Sequence, residues 1–199
     1  MSDAASPALL PEVGSRAHDL LTQVVEVFRE RGTVDISLRD LAASVGTSHR
    51  MLTYHLGTRE NVHGLAMLEL SRQYLQHFEG KRPASRADVV RAAWTRFREP
   101  SNRLQTQLLF SLSAAAAAHP DLDNAALAYD LDNFANALTA FGTAEGLAPD
   151  VARREARLIV ATLLGLYLDF YVTRGSTTAD DSFQALIEWI ERSSREARG

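Results

Sequence analysis

Residues 37–62 read S-L-R-D-L-A-A-S-V-G-T-S-H-R-M-L-T-Y-H-L-G-T-R-E-N-V, a stretch that predicts three closely spaced helix starts. Ser37 and Asp40 have the spacing of a capping box, in which the two residues cap the beginning of a helix reciprocally. Apolar residues at 38, 41, 42 and 45 then fall on one helical stripe, and Gly46 ends the helix. The pattern predicts a short amphipathic helix that is followed at once by another.

The second helix of this stretch is mostly polar. Thr47 and Ser48 supply its cap, and only Met51, Leu52 and Leu56 are strongly apolar. A helix this short is unstable alone, so those apolar side chains must hold it against its neighbours. The remaining face then presents hydrogen-bond donors, which is what a helix needs in order to read the major groove of DNA.

These residues resemble the TetR family of bacterial transcriptional regulators. A first helix ending in glycine is matched by 28–32, and the motif Ser/Thr-x-x-Asp/Glu-hydrophobic-Ala-x-x-x-Gly by 37–46. Gly-x-Ser-x-x-x-Leu-Tyr-x-His-Phe is matched by 46–56, and the Ser/Thr-Lys/Arg-Glu start of a fourth helix by 58–60. The rest of the chain is similar to the family only in its helical layout.

Two positions depart from the family pattern. Thr53 stands where an aromatic residue is usual, with Tyr54 one place later, and Arg50 stands where a small residue is usual. Both departures fall on the polar face of the second helix. They therefore bear on the DNA sequence that is read and leave the expected fold unchanged.

The resemblance implies a homodimeric transcriptional regulator, most often a repressor that a small organic effector releases from a palindromic operator in double-stranded DNA. It implies an all-α fold with an N-terminal three-helix head, containing a helix-turn-helix, and a C-terminal helical bundle for ligand binding and dimerisation. Arg50 is expected to contact guanine. Backbone positioning rather than sequence reading is expected of Ser37, Thr47, Ser48, Tyr54, His55 and Arg59. The predicted DNA contacts are Ser37, Thr47, Ser48, His49, Arg50, Met51, Thr53, Tyr54, His55 and Arg59.

The charge of the head gives this interpretation modest support. No acidic residue occurs between Leu41 and Arg59, although residues 1–80 contain seven arginines and no lysine against ten carboxylates. The whole chain has a formal net charge of −4, whereas nucleic-acid-binding domains are usually basic. A helical interaction protein without sequence-specific DNA binding therefore stays open as an alternative.

An enzyme built on a helical bundle is the less favoured alternative. The 199 residues contain no cysteine, which excludes disulfides, thiol catalysis and thiolate zinc sites. Six histidines are scattered, and no phosphate-binding glycine loop, nucleophile elbow or His-Glu-x-x-His motif occurs. We expect no catalytic residues, no metal and no cofactor. Without a signal peptide or a long apolar run, we expect a cytoplasmic protein with no membrane partner.

Helical signals continue to the end of the chain and predict three segments. These are a disordered arm at 1–10, a DNA-binding domain with its connecting helix at 11–80, and a regulatory and dimerisation domain at 81–199. Caps and breaks predict helices over 58–80, 85–99, 101–118, 121–142 and 149–175, and a final helix capped by Thr178.

The C-terminal domain is expected to enclose a mostly apolar site with a few polar anchors. An aromatic residue at helical spacing is also typical of ordinary core packing, so both interpretations stay open. The candidate ligand-binding residues are Trp94, Phe97, Arg103, Gln107, Phe110, Asn133, Phe134, Tyr167, Asp169, Phe170 and Tyr171.

The last two predicted helices indicate self-association. Apolar residues over 158–171 wrap more than one face of their helix, so that helix must be buried on several sides. Either a second copy or the core of the same chain covers them. The candidate dimer-interface residues are Leu163, Leu166, Phe183, Leu186, Trp189 and Ile190.

Overall fold

Helices are the only regular secondary structure in the computed structural model over the residues that it describes. These are residues 9–76, 83–119, 125–175 and 177–198, with the side chains of 74–76 excluded. The predicted all-α fold class is confirmed for these ranges. The helices are α1 Arg16–Arg31, α2 Leu38–Ser44, α3 His49–Leu56, α4 Arg59–Gln76, α5 Arg86–Arg98, α6 Arg103–Ala118, α7 Ala125–Ala144, α8 Pro149–Val172 and α9 Thr177–Glu196.

The first helix follows its sequence pattern closely. Leu20, Leu21, Val24 and Phe28 are buried on one side of α1, as their helical spacing predicts. Gly32 ends α1 with a φ of 64°, a left-handed conformation that glycine adopts without the steric cost of a Cβ. Its other face is polar, so α1 covers the neighbouring helices with its apolar stripe alone.

The chain divides into two compact units. The first comprises Met1–Glu79 and Ser101–Asp130, and the second comprises Gly80–Pro100 and Leu131–Gly199. One division lies near residue 80. Residues 101–130 belong with the first unit, whereas the sequence pattern predicts them in the C-terminal domain. The reason is packing, because α4 and α6 run in contact.

Within the first unit, α1 contacts α2, α3 and α4, and α4 also contacts α6. Leu104, Leu108 and Leu112 are buried on α6. Polar contacts add to this packing, since Gln105 Nε2 donates to Ser71 Oγ at 2.6 Å and Ser71 Oγ donates to Asp130 at 3.2 Å. α6 is thus part of the same core as α4.

The second unit encloses a core from α5, α7, α8 and α9. At its edge Arg86, fully buried, donates from Nε to Glu145 at 2.7 Å and from Nη1 to Glu155 at 2.6 Å. Ser194 Oγ donates to Glu145 at 2.6 Å and accepts from Arg86 at 2.9 Å. Burial opposes ionisation of Glu145, yet these hydrogen bonds and the charge of Arg86 lower its pKa below the ordinary value.

One predicted helix start is wrong, and one predicted helix end lies two residues too early. Thr178 lies inside α9, which already begins at Thr177, so Thr178 does not cap that helix. Gly142 lies inside α7, which continues to Ala144, and Gly146 takes the positive φ that follows the helix. Gly142 is kept small by packing, since a Cβ there would meet Ala152 at 3.1 Å.

Some predictions fall outside the described residues. These are most of the arm at 1–10, the predicted end of the fourth helix at 80, and the predicted start of the next helix at 121. Among the described helices, none combines the length and the hydropathy that crossing a bilayer requires.

Candidate functional site

The capped turn between α2 and α3 is built from local side-chain contacts. Ser37 Oγ accepts from Asp40 N at 3.2 Å, which confirms Ser37 as the cap of α2, and it donates to Asp40 Oδ2 at 2.7 Å. The carboxylate of Asp40 therefore bonds the hydroxyl of Ser37, whereas a reciprocal capping box would bond the backbone N–H of Ser37. Gly46 then turns the chain with a φ of 66°. Ser48 Oγ accepts from Met51 N at 3.2 Å, so Ser48, rather than Thr47, caps α3.

α3 has two sharply different faces. Leu52 and Leu56 are buried, and contacts from α1, α2 and α4 hold the helix. The opposite face is open to solvent, and Met51 and Tyr54 are 43% and 78% exposed. The other exposed side chains of this helix are those of His49, Arg50 and Thr53.

The ten predicted DNA contacts lie at the surface of the first unit or near it. Thr47 and His55 are half-buried and the other eight are exposed. The hydroxyl proton of Ser37 points to the carboxylate of Asp40, so Ser37 serves as a cap and is not a free donor.

A carboxylate in the loop between α1 and α2 weakens the basic field of this surface. Arg59 donates to Asp35 at 2.6 Å, and both side chains are exposed. Such a pair contributes little stability because solvent screens it. Its consequence is electrostatic, since Asp35 offsets a charge that the sequence predicts to meet a phosphate group.

Arg39 is a cation that the sequence interpretation missed. It is exposed on α2, beside the apolar stripe of that helix. The described residues offer it no carboxylate within ion-pair distance, unlike Arg59. The helical spacing of residues 38–45 already places it outside the apolar stripe, so the signal was present in the sequence.

Comparisons of the chain with protein-family models, with curated proteins and with solved structures find no match.

The loop between α1 and α2 is anchored by α4 and α6. Gln107 accepts from Val34 N at 3.2 Å and donates to the carbonyl oxygen of Gly32 at 3.4 Å. The buried His63 bonds the carbonyl oxygen of Val34 through Nε2 and Ser111 Oγ through Nδ1, each at 3.2 Å. Gln107, a candidate ligand anchor, is therefore engaged with the backbone that leads into α2.

The aromatic ligand candidates of the second unit pack on one another. The rings of Phe97 and Tyr167 stack at 3.8 Å, and Trp94 stacks on Phe183 at 4.8 Å. Phe170 meets Phe97 edge to face at 5.7 Å. These contacts correspond to core packing, the second of the two interpretations of their spacing, and burial raises the pKa of Tyr167.

The remaining ligand candidates are dispersed. Arg103 and Phe110 lie on α6 in the first unit with Gln107, whereas the others lie in the second unit. Asn133 is exposed on α7, Phe134 packs against the core of the second unit, and Asp169 is half-buried on α8. Tyr171 is 42% exposed.

Four of the six dimer candidates are buried within their own chain, which corrects that prediction. Leu163, Phe183, Leu186 and Ile190 belong to the core of the second unit, and Leu166 and Trp189 pack against it from its margin. Helical periodicity shows that a face is apolar, but it does not show what covers it. Here the shared core of α5, α7, α8 and α9 covers these residues.

A different apolar face of α8 is uncovered within the chain. Leu158 and Leu168 are each 53% exposed and Val172 is 72% exposed. Ala161 and Gly165 lie between them and are also exposed. The positions recur every three or four residues, so they form one stripe along the helix, here called the α8 stripe. A Cβ at Gly165 would meet no atom within 4 Å.

Proposed function

We propose that the chain is a TetR-like DNA-binding transcriptional regulator that binds a palindromic operator as a homodimer. In this proposal α2 and α3 form a helix-turn-helix, and α3 is the recognition helix. One observation carries it: a capped eight-residue helix anchored by Leu52 and Leu56 turns a mostly polar face to solvent. A recognition helix must combine these two properties to enter a major groove.

The charge distribution supports DNA as the partner of that face. From 42 to 58 the sequence has no carboxylate, and Arg39 and Arg50 are exposed on the two helices. Phosphate neutralisation drives most non-specific DNA affinity, so a few unopposed arginines give weak and salt-dependent binding. Sequence preference must then come from base contacts, and it is multiplied when two half-sites are read together.

The α8 stripe supports the dimer. Leu158, Leu168 and Val172 expose apolar surface that a second copy would cover, and Gly165 lets two helices approach closely because it lacks a side chain. A two-fold dimer formed through paired α8 helices would carry two copies of α3, one for each half-site. The proposed interface therefore lies on the outward side of α8 and excludes the buried residues that the sequence pattern predicts.

The regulatory part of the proposal is repression that a small organic effector relieves. It is supported by the anchoring of the α1–α2 loop, because Gln107 and His63 link α6 and α4 to the backbone before α2. A shift of α4 or α6 would thus displace α2 and α3. Switching requires only that the effector bind the two arrangements unequally.

A pool of random DNA duplexes tests the proposal. The wild-type protein is incubated with the pool, bound duplexes are recovered and sequenced over several rounds, and protein-free beads serve as the control. We expect enrichment of a palindrome whose half-sites lie about one helical turn apart or a multiple of it. Failure to retain any duplex at low salt would overturn the proposal. It would favour the alternative, a helical interaction protein without sequence-specific DNA binding. The acidic head and the pairing of Arg59 with Asp35 both agree with that alternative.

The regulatory part of the proposal can be tested without knowing the effector, because an effector must change the affinity for DNA. Compounds from a panel of apolar metabolites carrying one or two polar groups are selected for raising the melting temperature. They are then added to the protein–operator complex. By thermodynamic linkage, an effector must weaken DNA binding by the same factor by which DNA weakens effector binding. The corresponding coupling free energy is typically about 1–3 kcal/mol. Stabilising compounds that leave DNA affinity unchanged would contradict the switch and leave DNA binding intact.

A further inference from the structure

Tyr54 lies at the centre of the outward face of α3. It is 78% exposed, the largest exposed fraction among the large hydrophobic side chains of the described residues. Successive helical residues are separated by about 100°, so Tyr54 lies about 160° around the axis from both buried leucines, Leu52 and Leu56. A side chain in that position points away from the helices that bury Leu52 and Leu56.

The neighbours of Tyr54 leave this position open. Arg50 lies one turn earlier on the same face, and the rings of Tyr54 and His55 meet edge to face at 5.0 Å. The contact with His55 supports the aromatic ring. No carboxylate between 42 and 58 competes for the surrounding surface.

We propose that Tyr54, which the sequence pattern assigns to the DNA backbone, is instead a specificity-determining residue that contacts the C5-methyl group of a thymine in the major groove. This inference rests on the proposed function, since it requires α3 to be the recognition helix. Base edges form the floor of the groove and phosphates its walls, so the residue at the centre of the outward face meets the bases. Aromatic carbon is a suitable partner for the thymine methyl group.

The spacing on α3 places this thymine relative to a guanine. Arg50 and Tyr54 are four residues apart, which is about 6 Å along a helix axis. Base pairs are separated by about 3.4 Å, so two such side chains reach bases about two pairs apart. The half-site therefore contains a guanine for Arg50 and, about two base pairs away, a thymine for Tyr54.

Replacement of thymine by deoxyuridine tests the contact directly. The enriched operator is synthesised with deoxyuridine at the selected thymine, which removes one methyl group and preserves base pairing. Wild-type protein should bind it about four-fold more weakly, the effect of one buried methyl group. Tyr54→Ala should bind both duplexes equally, and Tyr54→Phe should behave as the wild type does. Because Tyr54 is exposed, the unchanged melting temperature of each variant provides the folding control.

The other outcomes overturn the inference and separate it from the proposed function. If Tyr54→Ala still binds the thymine duplex more tightly than the deoxyuridine duplex, another residue contacts the methyl group. If Tyr54→Phe lowers the affinity for every duplex alike, and the wild type does not distinguish thymine from deoxyuridine, the hydroxyl of Tyr54 donates to a phosphate. In both cases DNA binding itself survives. If no duplex is bound at any salt concentration, the inference and the proposed function fail together.

Discussion

The Nε2 atom of His63 donates a hydrogen bond to the backbone carbonyl oxygen of Val34 at 3.2 Å. Since a carbonyl can only accept, this bond requires the proton on Nε2 and leaves Nδ1 to accept from Ser111 Oγ. Burial and the positive charge of Arg59 lower the pKa of His63. The neutral imidazole therefore joins α4 to the loop that leads into α2.

This relationship predicts a pH dependence of stability. In the unfolded chain His63 titrates near its ordinary value of 6.5, whereas the folded protein binds that proton only at lower pH. The contribution of His63 is therefore complete above pH 6.5 and is lost as the pH falls below it, by at most about 1.4 kcal/mol per pH unit. Denaturant unfolding between pH 7.5 and 5.5 measures the slope. His63→Gln should reduce it and His49→Gln, on an exposed residue, should not; equal slopes in all three proteins would refute the assignment.

Arg50 is expected to read one base of each half-site. Arg50→Ala should remove a bidentate contact to guanine that is worth about 1–3 kcal/mol and relax the preference at that base alone. Affinity measured on the operator and on single-base variants checks this. If Arg50→Ala weakens every duplex alike and keeps the full preference, then Arg50 binds phosphate and the base assignment fails.

Arg59 and Asp35 provide a matched pair for the phosphate contact. Arg59→Ala should lower affinity for all sequences and reduce the slope of log affinity against log salt by about one counterion. Asp35→Asn should do the reverse and raise affinity. The guanidinium of Arg59 now donates to the carboxylate of Asp35, and the substitution frees it. Binding isotherms at several salt concentrations give both values. Unchanged slopes in both variants would place Arg59 outside the interface.

The α8 stripe predicts a dimer that can be separated from folding. Leu168→Glu should give a folded monomer, because Leu168 is exposed within the chain. Leu163→Glu should instead unfold the protein, since it places a charge in the core. Sedimentation and circular dichroism distinguish the two effects, and Arg153→Glu, exposed on another side of α8, is the control. A wild-type monomer at every concentration would refute both the interface and the two-half-site proposal.

The buried Arg86 is expected to be essential for the second unit. Arg86→Met leaves Glu145 ionised and without its cation, which typically costs about 3–5 kcal/mol when a buried pair is broken. Arg91→Met, which removes exposed ion pairs to Asp88 and Glu191, should cost less than about 1 kcal/mol. Denaturant unfolding of both variants provides the comparison. Similar losses would show that the Arg86 network contributes no more than a surface pair.

Local features are predictable because their causes lie within a few residues. The caps at Ser37 and Ser48 each bond a backbone N–H three residues on, and Gly46 supplies a positive φ at the turn between them. The buried and exposed sides of α3 follow from helical periodicity. The predicted cap at Thr178 is wrong because the same Ser/Thr-x-x-Asp spacing also occurs inside a helix.

What the sequence determined by itself is the all-helical class, the order of the helices and the faces that each must bury. Only the tertiary structure decided what covers those faces: Leu163 lies in the core of its own chain, while Leu158 and Leu168 on the same helix are open. It also decided that Gln107 bonds the α1–α2 loop and that Asp35 pairs with Arg59. Periodicity reports the hydrophobicity of a face, whereas the partner of a face or a charge depends on residues distant in sequence, which only the folded chain brings together.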